Sequence, residues 1–183
     1  MSGPAARDLL HFWFEECQSV QWFRKDPAFD QQVRERFGAL SERAMAGQLQ
    51  QWAEEPDSAL ALVLLLDQLP RQLWRGTPEA FAGDAAALEL SLRALAMGWI
   101  EAEPQREQRQ FWLMPLMHSE DLAIQEQGLK LFERFCDAET TAFAGRHRDV
   151  IARFGRFPHR NEVLGRSSST EELAFLKQPG SRF

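Results

Sequence analysis

Apolar residues recur along the chain at the three- and four-residue spacing of amphipathic helices. In the segment that follows Asp26 and Pro27, one stripe contains Val33, Phe37, Leu40 and Ala44. Asp26 is suited to cap a helix N-terminus, Pro27 to occupy the first helical position, and Gly47 to end the helix. The pattern therefore predicts a helix that buries one face and begins and ends at these residues.

The same spacing continues to the last part of the sequence and predicts about eight helices. Their approximate bounds, in residue numbers, are 5–16, 27–46, 58–69, 84–97, 104–112, 120–135, 140–154 and 170–176. Alternating runs of β-branched residues and Asn-Gly or Asp-Gly turns are missing, so no sheet is expected. With 183 residues, the chain has the usual size of one domain. We expect a single all-α domain over residues 1–183, built from stacked antiparallel helical hairpins.

Three segments share a further pattern, in which a proline interrupts an apolar stretch and ionisable residues follow. These motifs are Leu66-Asp-Gln-Leu-Pro70-Arg71 with Arg75, Met114-Pro115-Leu-Met-His118, and Phe157-Pro158-His159-Arg160-Asn161. Proline lacks a backbone donor and disfavours helix in the preceding residue, which leaves carbonyl groups free for other partners. The three motifs are therefore the places where a functional site is expected.

Asp67 continues the apolar stripe of its predicted helix, so it is expected to face the interior. A buried carboxylate is costly unless it is paired. Arg71 follows four residues later, in the acid-then-base order that favours an ion pair on a helix. Two interpretations stay open for this pair: it stabilises the fold at the proline, or it forms part of a site.

Arginine is concentrated near the third motif. Between residues 146 and 166 six arginines stand against two acidic residues, although the formal net charge of the chain is −6. Arginine offers a planar fork of donors that matches phosphate and carboxylate groups. We therefore predict an anion-binding site that contains Asp67, Arg71, Arg75, Arg156, Arg160, Asn161 and Arg166. In the opposing interpretation, Asp67, Glu120 or Asp121 compensates the arginines internally.

Histidines supply the candidate catalytic groups. His118 and His159 lie within two of the motifs, and imidazole is a natural general acid or base near neutral pH. His147 lies on the apolar stripe of its helix and is interpreted as a core residue. The spacing of possible metal ligands matches no known metal motif, so the sequence predicts neither a metal nor a cofactor.

Composition indicates the cellular location and the classes of partner that are unfavourable. No apolar run approaches the ~20 residues of a membrane span, and the first residues lack the apolar core of a signal peptide. A cytoplasmic location without membrane contact is therefore expected, with Cys17 and Cys136 as reduced, buried thiols. The acidic net charge makes nucleic acid an unfavourable partner, and RNA binding through the arginines is the weakest hypothesis.

The motifs resemble those of the family catalogued as domain of unknown function 924. The resemblance extends from about Asp8 to about Leu176 and also includes Met117-His-Ser-Glu-Asp-Leu122, Leu164-Gly-Arg166, Trp22-Phe23 and Lys25-Asp-Pro27. It implies an all-helical fold similar to the tetratricopeptide-repeat superfamily, in a bacterial cytoplasmic protein. It implies no activity and no catalytic roles.

Two functional hypotheses follow. In the first, a small ligand with a phosphate or carboxylate group binds in a pocket lined by Arg, His and Asp residues, with or without catalysis. In the second, a helical groove binds an acidic peptide or a C-terminal carboxylate. Motifs that converge on a closed pocket favour the first hypothesis, and motifs dispersed along an open groove favour the second.

Overall fold

Helices account for all regular secondary structure within residues 3–183, the part of the chain that the computed structural model describes. The α-helices are α1 (Pro4–His11), α2 (Ser19–Phe23), α3 (Pro27–Met45), α4 (Pro56–Val63), α5 (Leu69–Leu73), α6 (Asp84–Ala96), α7 (Trp99–Ala102), α8 (Arg106–Met117), α9 (Leu122–Phe135), α10 (Ala138–Phe154) and α11 (Thr170–Phe175). Three short 3₁₀-helices are Gln50–Glu54, Pro78–Phe81 and Pro158–Arg160. The all-α prediction is confirmed.

Two segments have π-helical geometry. One, Phe12–Glu16, extends α1, and the other, Leu64–Gln68, joins α4 to α5 into one continuous helix. With α4 and α5 counted as one, the described residues form ten helices, where the sequence predicts about eight. The additional helices are α2 and α7, which have five and four residues and are too short for the hydrophobic spacing to be recognised.

Helix boundaries follow the local sequence signals. Oδ1 of Asp26 accepts hydrogen bonds from the N–H groups of Ala28 and Phe29, at 3.0 and 3.3 Å, and so caps α3 as predicted. Helix α8 ends later than the predicted bound near residue 112, because it continues through Pro115 to Met117. Pro115 has no N–H group, so the carbonyl oxygen of Phe111 receives no helical hydrogen bond from it.

The continuous helix formed by α4, the π-helical turn and α5 lies at the centre of the fold. Every residue from Ser58 to Pro70 is buried. Helices α1, α3, α6 and α8 pack around it. Burying a Leu or Val side chain contributes about 1.5–3 kcal/mol, so this segment contributes strongly to stability. It also places Asp67 in the interior.

Helices α8, α9 and α10 pack against one another in succession. The chain then forms a separate small apolar cluster of Val150, Ile151 and Phe157, against which Phe154, Phe175 and Phe183 pack. This arrangement brings the end of α8 and the segment after α10 beside the central helix. None of the helices within residues 3–183 is both long and apolar enough to cross a membrane.

Candidate functional site

Asp67 and His118 form a buried pair at the centre of the site. Asp67 lies on the π-helical turn and is fully buried, and His118 caps the end of α8. Oδ1 of Asp67 lies 2.7 Å from Nδ1 of His118, and Oδ2 accepts a hydrogen bond from the side chain of Gln68. Burial raises the pKa of Asp67, but the interactions with His118 and Arg71 lower it by more, so the carboxylate is ionised. The pKa of His118 is lowered, because burial and the charge of Arg71 outweigh the attraction of Asp67.

Asp84, in the first turn of α6, bridges two arginines from distant parts of the sequence. Its Oδ1 accepts a hydrogen bond from Nη1 of Arg71 at 2.9 Å. Its Oδ2 accepts from Nη2 of Arg71 at 3.1 Å and from Nη1 of Arg160 at 3.0 Å. Arg71 also donates to the carbonyl oxygen of Asp67 and lies 3.5 Å from its carboxylate. One carboxylate therefore holds the arginines of the first and third motifs together.

Arg160 is 6% exposed and lies between two aromatic rings. Its guanidinium carbon is 4.6 Å from the ring centre of Phe81 and 4.7 Å from that of Phe157. Its Nη2 donates to the carbonyl oxygen of His118 at 3.1 Å. Its Nε is buried and has no hydrogen-bond partner within residues 3–183. One donor of this guanidinium therefore stays available in an otherwise fixed position.

A cavity of about 460 Å³ lies beside these groups. Among the described residues, five arginines and three histidines line it, and no Asp or Glu side chain does. The arginines are Arg24, Arg71, Arg75, Arg160 and Arg182, and the histidines are His118, His147 and His159. Aromatic and amide side chains complete the wall, which gives the cavity a cationic and partly aromatic surface.

The two other histidines of the wall are uncharged at neutral pH. Burial, together with the charges of Arg160 and Arg71, lowers the pKa of His159 to about 3. Burial also lowers the pKa of His147 to about 3, and its Nδ1 donates to the carbonyl oxygen of Phe143 at 2.9 Å. His147 is a buried histidine as predicted, but it also lines the cavity.

The structure brings five of the predicted site residues to the cavity. They are Arg71, Arg75, His118, His159 and Arg160. Asp67 lies behind His118, outside the lining. Arg75 is at the edge, where it forms an ion pair with Asp30 at 2.9 Å. The three motifs thus meet at one place, although 89 positions separate Arg71 from Arg160 along the sequence.

Three predicted ligand-binding residues lie away from the cavity. Arg156 forms a two-point ion pair with Glu172 at 2.7 and 2.8 Å. Arg166 pairs in the same way with Glu120, at 2.7 and 2.9 Å, and also donates to Oδ1 of Asn161. For these residues the geometry fits the opposing interpretation, in which groups of the protein itself pair with the arginines.

Glu120 holds the third motif in place through hydrogen bonds from Phe157 and Arg166. Its Oε1 accepts the backbone N–H of Phe157 at 2.7 Å in addition to the bonds from Arg166. Burial raises the pKa of Glu120, but the hydrogen bonds from Arg166 and Phe157 lower it overall. Asp121 does not pair with the arginines and instead caps α9 through the N–H groups of Ala123 and Ile124.

Sequence patterns missed two kinds of residue at the site. Asp84 stands at a predicted helix start, where an acidic residue is already explained by the helix macrodipole. Only the balance of charge could have indicated its role, because the single carboxylate of Asp67 cannot neutralise both Arg71 and Arg160. Arg24 and Arg182 lie outside the motifs, in segments without helical periodicity.

Within residues 3–183, no group of three or more His, Cys, Asp or Glu side chains is arranged to hold a metal ion. The site contains instead a network of arginine, carboxylate and imidazole groups. Such a network can bind an anion through arginine donors and can exchange a proton through imidazole.

The chain is similar to one protein family and to one solved structure. The family model described as "Bacterial protein of unknown function (DUF924)" matches residues 9–180. A solved structure, described as a protein of unknown function ATU0120 from Agrobacterium tumefaciens, is similar with a TM-score of 0.88 and 37% sequence identity. The match covers 94% of this chain and 96% of that one. No protein of curated function matches the sequence.

Proposed function

The chain belongs to the bacterial DUF924 family, and we propose that its cavity binds a small ligand that carries a phosphate or carboxylate group. The observation that carries this proposal is the charge of the cavity wall. Five arginines line the cavity, whereas within residues 3–183 the carboxylate side chains that pair with them are Asp30, Asp67 and Asp84. A positive excess therefore faces the cavity, and an anion would neutralise it.

Unpaired polar atoms support the same proposal. Nε of Arg160, Nδ1 of His159 and Oε1 of Gln72 are buried without a hydrogen-bond partner within residues 3–183, and all three side chains line the cavity. Buried polar atoms in proteins are nearly always hydrogen-bonded, to protein, water or ligand. A ligand with several oxygen atoms would supply partners to this group.

The Asp67–His118 pair gives the proposed site a means of proton transfer. Oδ1 of the ionised Asp67 accepts a hydrogen bond from the Nδ1–H of His118, which leaves the lone pair of the neutral ring at Nε2. Nε2 makes no hydrogen bond within the described residues, and His118 lines the cavity. An imidazole oriented by a carboxylate is the usual form of a general base. We include general-base catalysis by His118 in the proposal, with Asp67 as a positioning residue.

The peptide-binding hypothesis has less support. Its expected feature is an open groove with dispersed motifs, whereas the three motifs meet at one cavity of about 460 Å³. Cavities of about 300–1,000 Å³ suit small molecules.

We also propose a cytoplasmic location, since Cys17 and Cys136 are both unpaired. Burial raises the pKa of their thiols to about 11 and about 12, which makes them unreactive.

Isothermal titration with inorganic phosphate at constant ionic strength tests the proposal. The double variant Arg24→Ala/Arg182→Ala removes two exposed arginines of the cavity wall that have no carboxylate partner within residues 3–183. Each charge-assisted hydrogen bond contributes about 1.5–3 kcal/mol, so we expect saturable binding to wild type and about tenfold or greater weakening in the variant. Arg43→Ala, an exposed arginine outside the cavity, is the matched control and should bind like wild type. Absence of saturable binding, or equal weakening in the control, would contradict the proposal.

A further inference from the structure

Aromatic side chains form much of the cavity wall. They are Trp22, Phe23, Phe81, Phe143, Phe157 and Phe183. An inorganic anion alone would leave this aromatic surface without a partner. Aromatic rings contribute to binding both by apolar burial and by ring contacts at 4.5–7 Å between centres.

Phe183 is itself seated among four rings of the cavity wall, two phenyl rings and two imidazole rings. Its ring centre lies 3.8 Å from that of His147, at an interplanar angle of 34°. The ring centres of Phe143 and Phe157 lie 5.9 Å away, and that of His159 lies 5.8 Å away. This part of the cavity therefore has the size and chemistry to hold one planar ring.

The segment that carries Phe183 has few other attachments. Arg182 is exposed, and Gly180 has a positive φ of 74°. The nearest hydrogen bond outside the preceding turn runs from Oγ of Ser181 to the carbonyl oxygen of Leu176. Removing the Phe183 ring from its position would therefore require only a local change in the chain.

The ring position adjoins the anion-binding groups. Phe157 contacts the Phe183 ring and also contacts the guanidinium of Arg160, whose carbon lies 4.7 Å from its ring centre. A single small molecule can thus place a ring against His147 and Phe157 and an anionic group against Arg160.

We infer that the ligand of this cavity is an aromatic anion, with a planar ring joined to its phosphate or carboxylate group. The ring takes the position that the Phe183 side chain occupies, and Phe183 moves aside when the ligand binds. This inference rests on the proposed anion-binding function and names the chemical class of its ligand.

Titrations with phenyl phosphate, methyl phosphate and inorganic phosphate test the inference. In Phe183→Ala the ring position is empty, so phenyl phosphate should bind at least about tenfold more tightly than methyl phosphate, since burying a ring contributes more than the ~1.4 kcal/mol that a factor of ten requires. Phenyl phosphate should bind wild type more weakly than it binds this variant, because wild type must first displace Phe183. Methyl phosphate and inorganic phosphate should bind both proteins equally.

Two further variants keep the result interpretable. Phe183→Leu retains apolar packing without the ring and should give an affinity for phenyl phosphate between those of wild type and Phe183→Ala. Leu173→Ala removes an exposed apolar side chain outside the cavity and should behave as wild type.

The possible outcomes separate the inference from the proposal beneath it. If the small phosphates bind but phenyl phosphate gains no affinity in Phe183→Ala, the ring position is wrong and anion binding stands. A loss of phenyl phosphate affinity in Phe183→Ala would also overturn the inference, because Phe183 would then be part of the binding surface. If none of the three phosphates binds saturably, both the proposed function and the inference fail.

Discussion

Nδ1 of His118 lies 2.7 Å from Oδ1 of Asp67, although 51 positions separate the two residues in the sequence. The carbonyl oxygen of the same His118 accepts a hydrogen bond from Arg160. His118 therefore contacts both other proline motifs, one through its ring and one through its backbone. These two contacts join the three motifs at the cavity wall.

Replacing Asp67 by alanine should strongly destabilise the protein. Asp67 is fully buried and contacts His118, Gln68 and Arg71. Removing one partner of a buried ion pair typically costs ~3–5 kcal/mol, because the remaining charge loses its compensation. Asp30→Ala is the matched control, since it breaks the more exposed ion pair with Arg75 and should cost about 1 kcal/mol or less. Urea unfolding measures both, and equal effects would show that Asp67 is not buried in solution.

Asp67→Asn should lower the pKa of His118 below its wild-type value. The pKa of His118 is set by burial and Arg71, which lower it, and by Asp67 and Asp84, which raise it. Asparagine removes the charge of Asp67 but retains nearly the same shape. Titration of the His118 ring protons by NMR measures the shift. An unchanged pKa would mean that the Asp67–His118 contact does not form in solution.

The burial of Asp67 could be predicted because it depends on local periodicity. A carboxylate on the apolar stripe of a nearly all-apolar helix must lie inside, and the central helix is indeed buried from Ser58 to Pro70. The all-helical fold could be predicted for the same reason. The tetratricopeptide-like arrangement of hairpins, which the family resemblance implies, stays a prediction.

The partners of the arginines could not be predicted, because tertiary packing alone decides which carboxylate each arginine meets. Arg156 and Arg160 are four residues apart, yet one pairs with Glu172 outside the cavity and the other with Asp84 beside it. On a segment without regular secondary structure, sequence spacing does not predict the direction in which each side chain points. The sequence therefore predicts a charge cluster there, but not its division into a structural and a cavity-lining part.

Acid should destabilise the protein through His147. Its pKa is about 3 in the folded state against an ordinary value of 6.5. Between these pH values the unfolded state binds more protons, so the free energy of unfolding falls as the pH decreases from 6.5 towards 3. His147→Gln removes this titration and should flatten the dependence in that window. Urea unfolding at a series of pH values measures the slopes, and identical slopes would contradict the buried neutral state of His147.

Gly83→Ala should destabilise the protein by disturbing the contact between α6 and the central helix. A Cβ atom on Gly83 would lie 2.2 Å from the carbonyl oxygen of Leu66, which is backbone and cannot rotate away. Relieving this overlap requires the start of α6 to move, and Asp84 would then move relative to Arg71 and Arg160. Overpacking of this kind typically costs ~1–3 kcal/mol.

Gly38→Ala is the control for Gly83→Ala, because Gly38 lies within α3 and its added Cβ would meet only the Cγ of Arg34, at 3.8 Å. Alanine is the better helix former, so this change should stabilise the protein by roughly 0.5–1 kcal/mol. Opposite signs for the two substitutions, measured by urea unfolding, would establish the close backbone contact at Gly83. If Gly83→Ala is neutral or stabilising, then α6 does not approach Leu66 so closely, and the position of Asp84 between the two arginines would no longer follow.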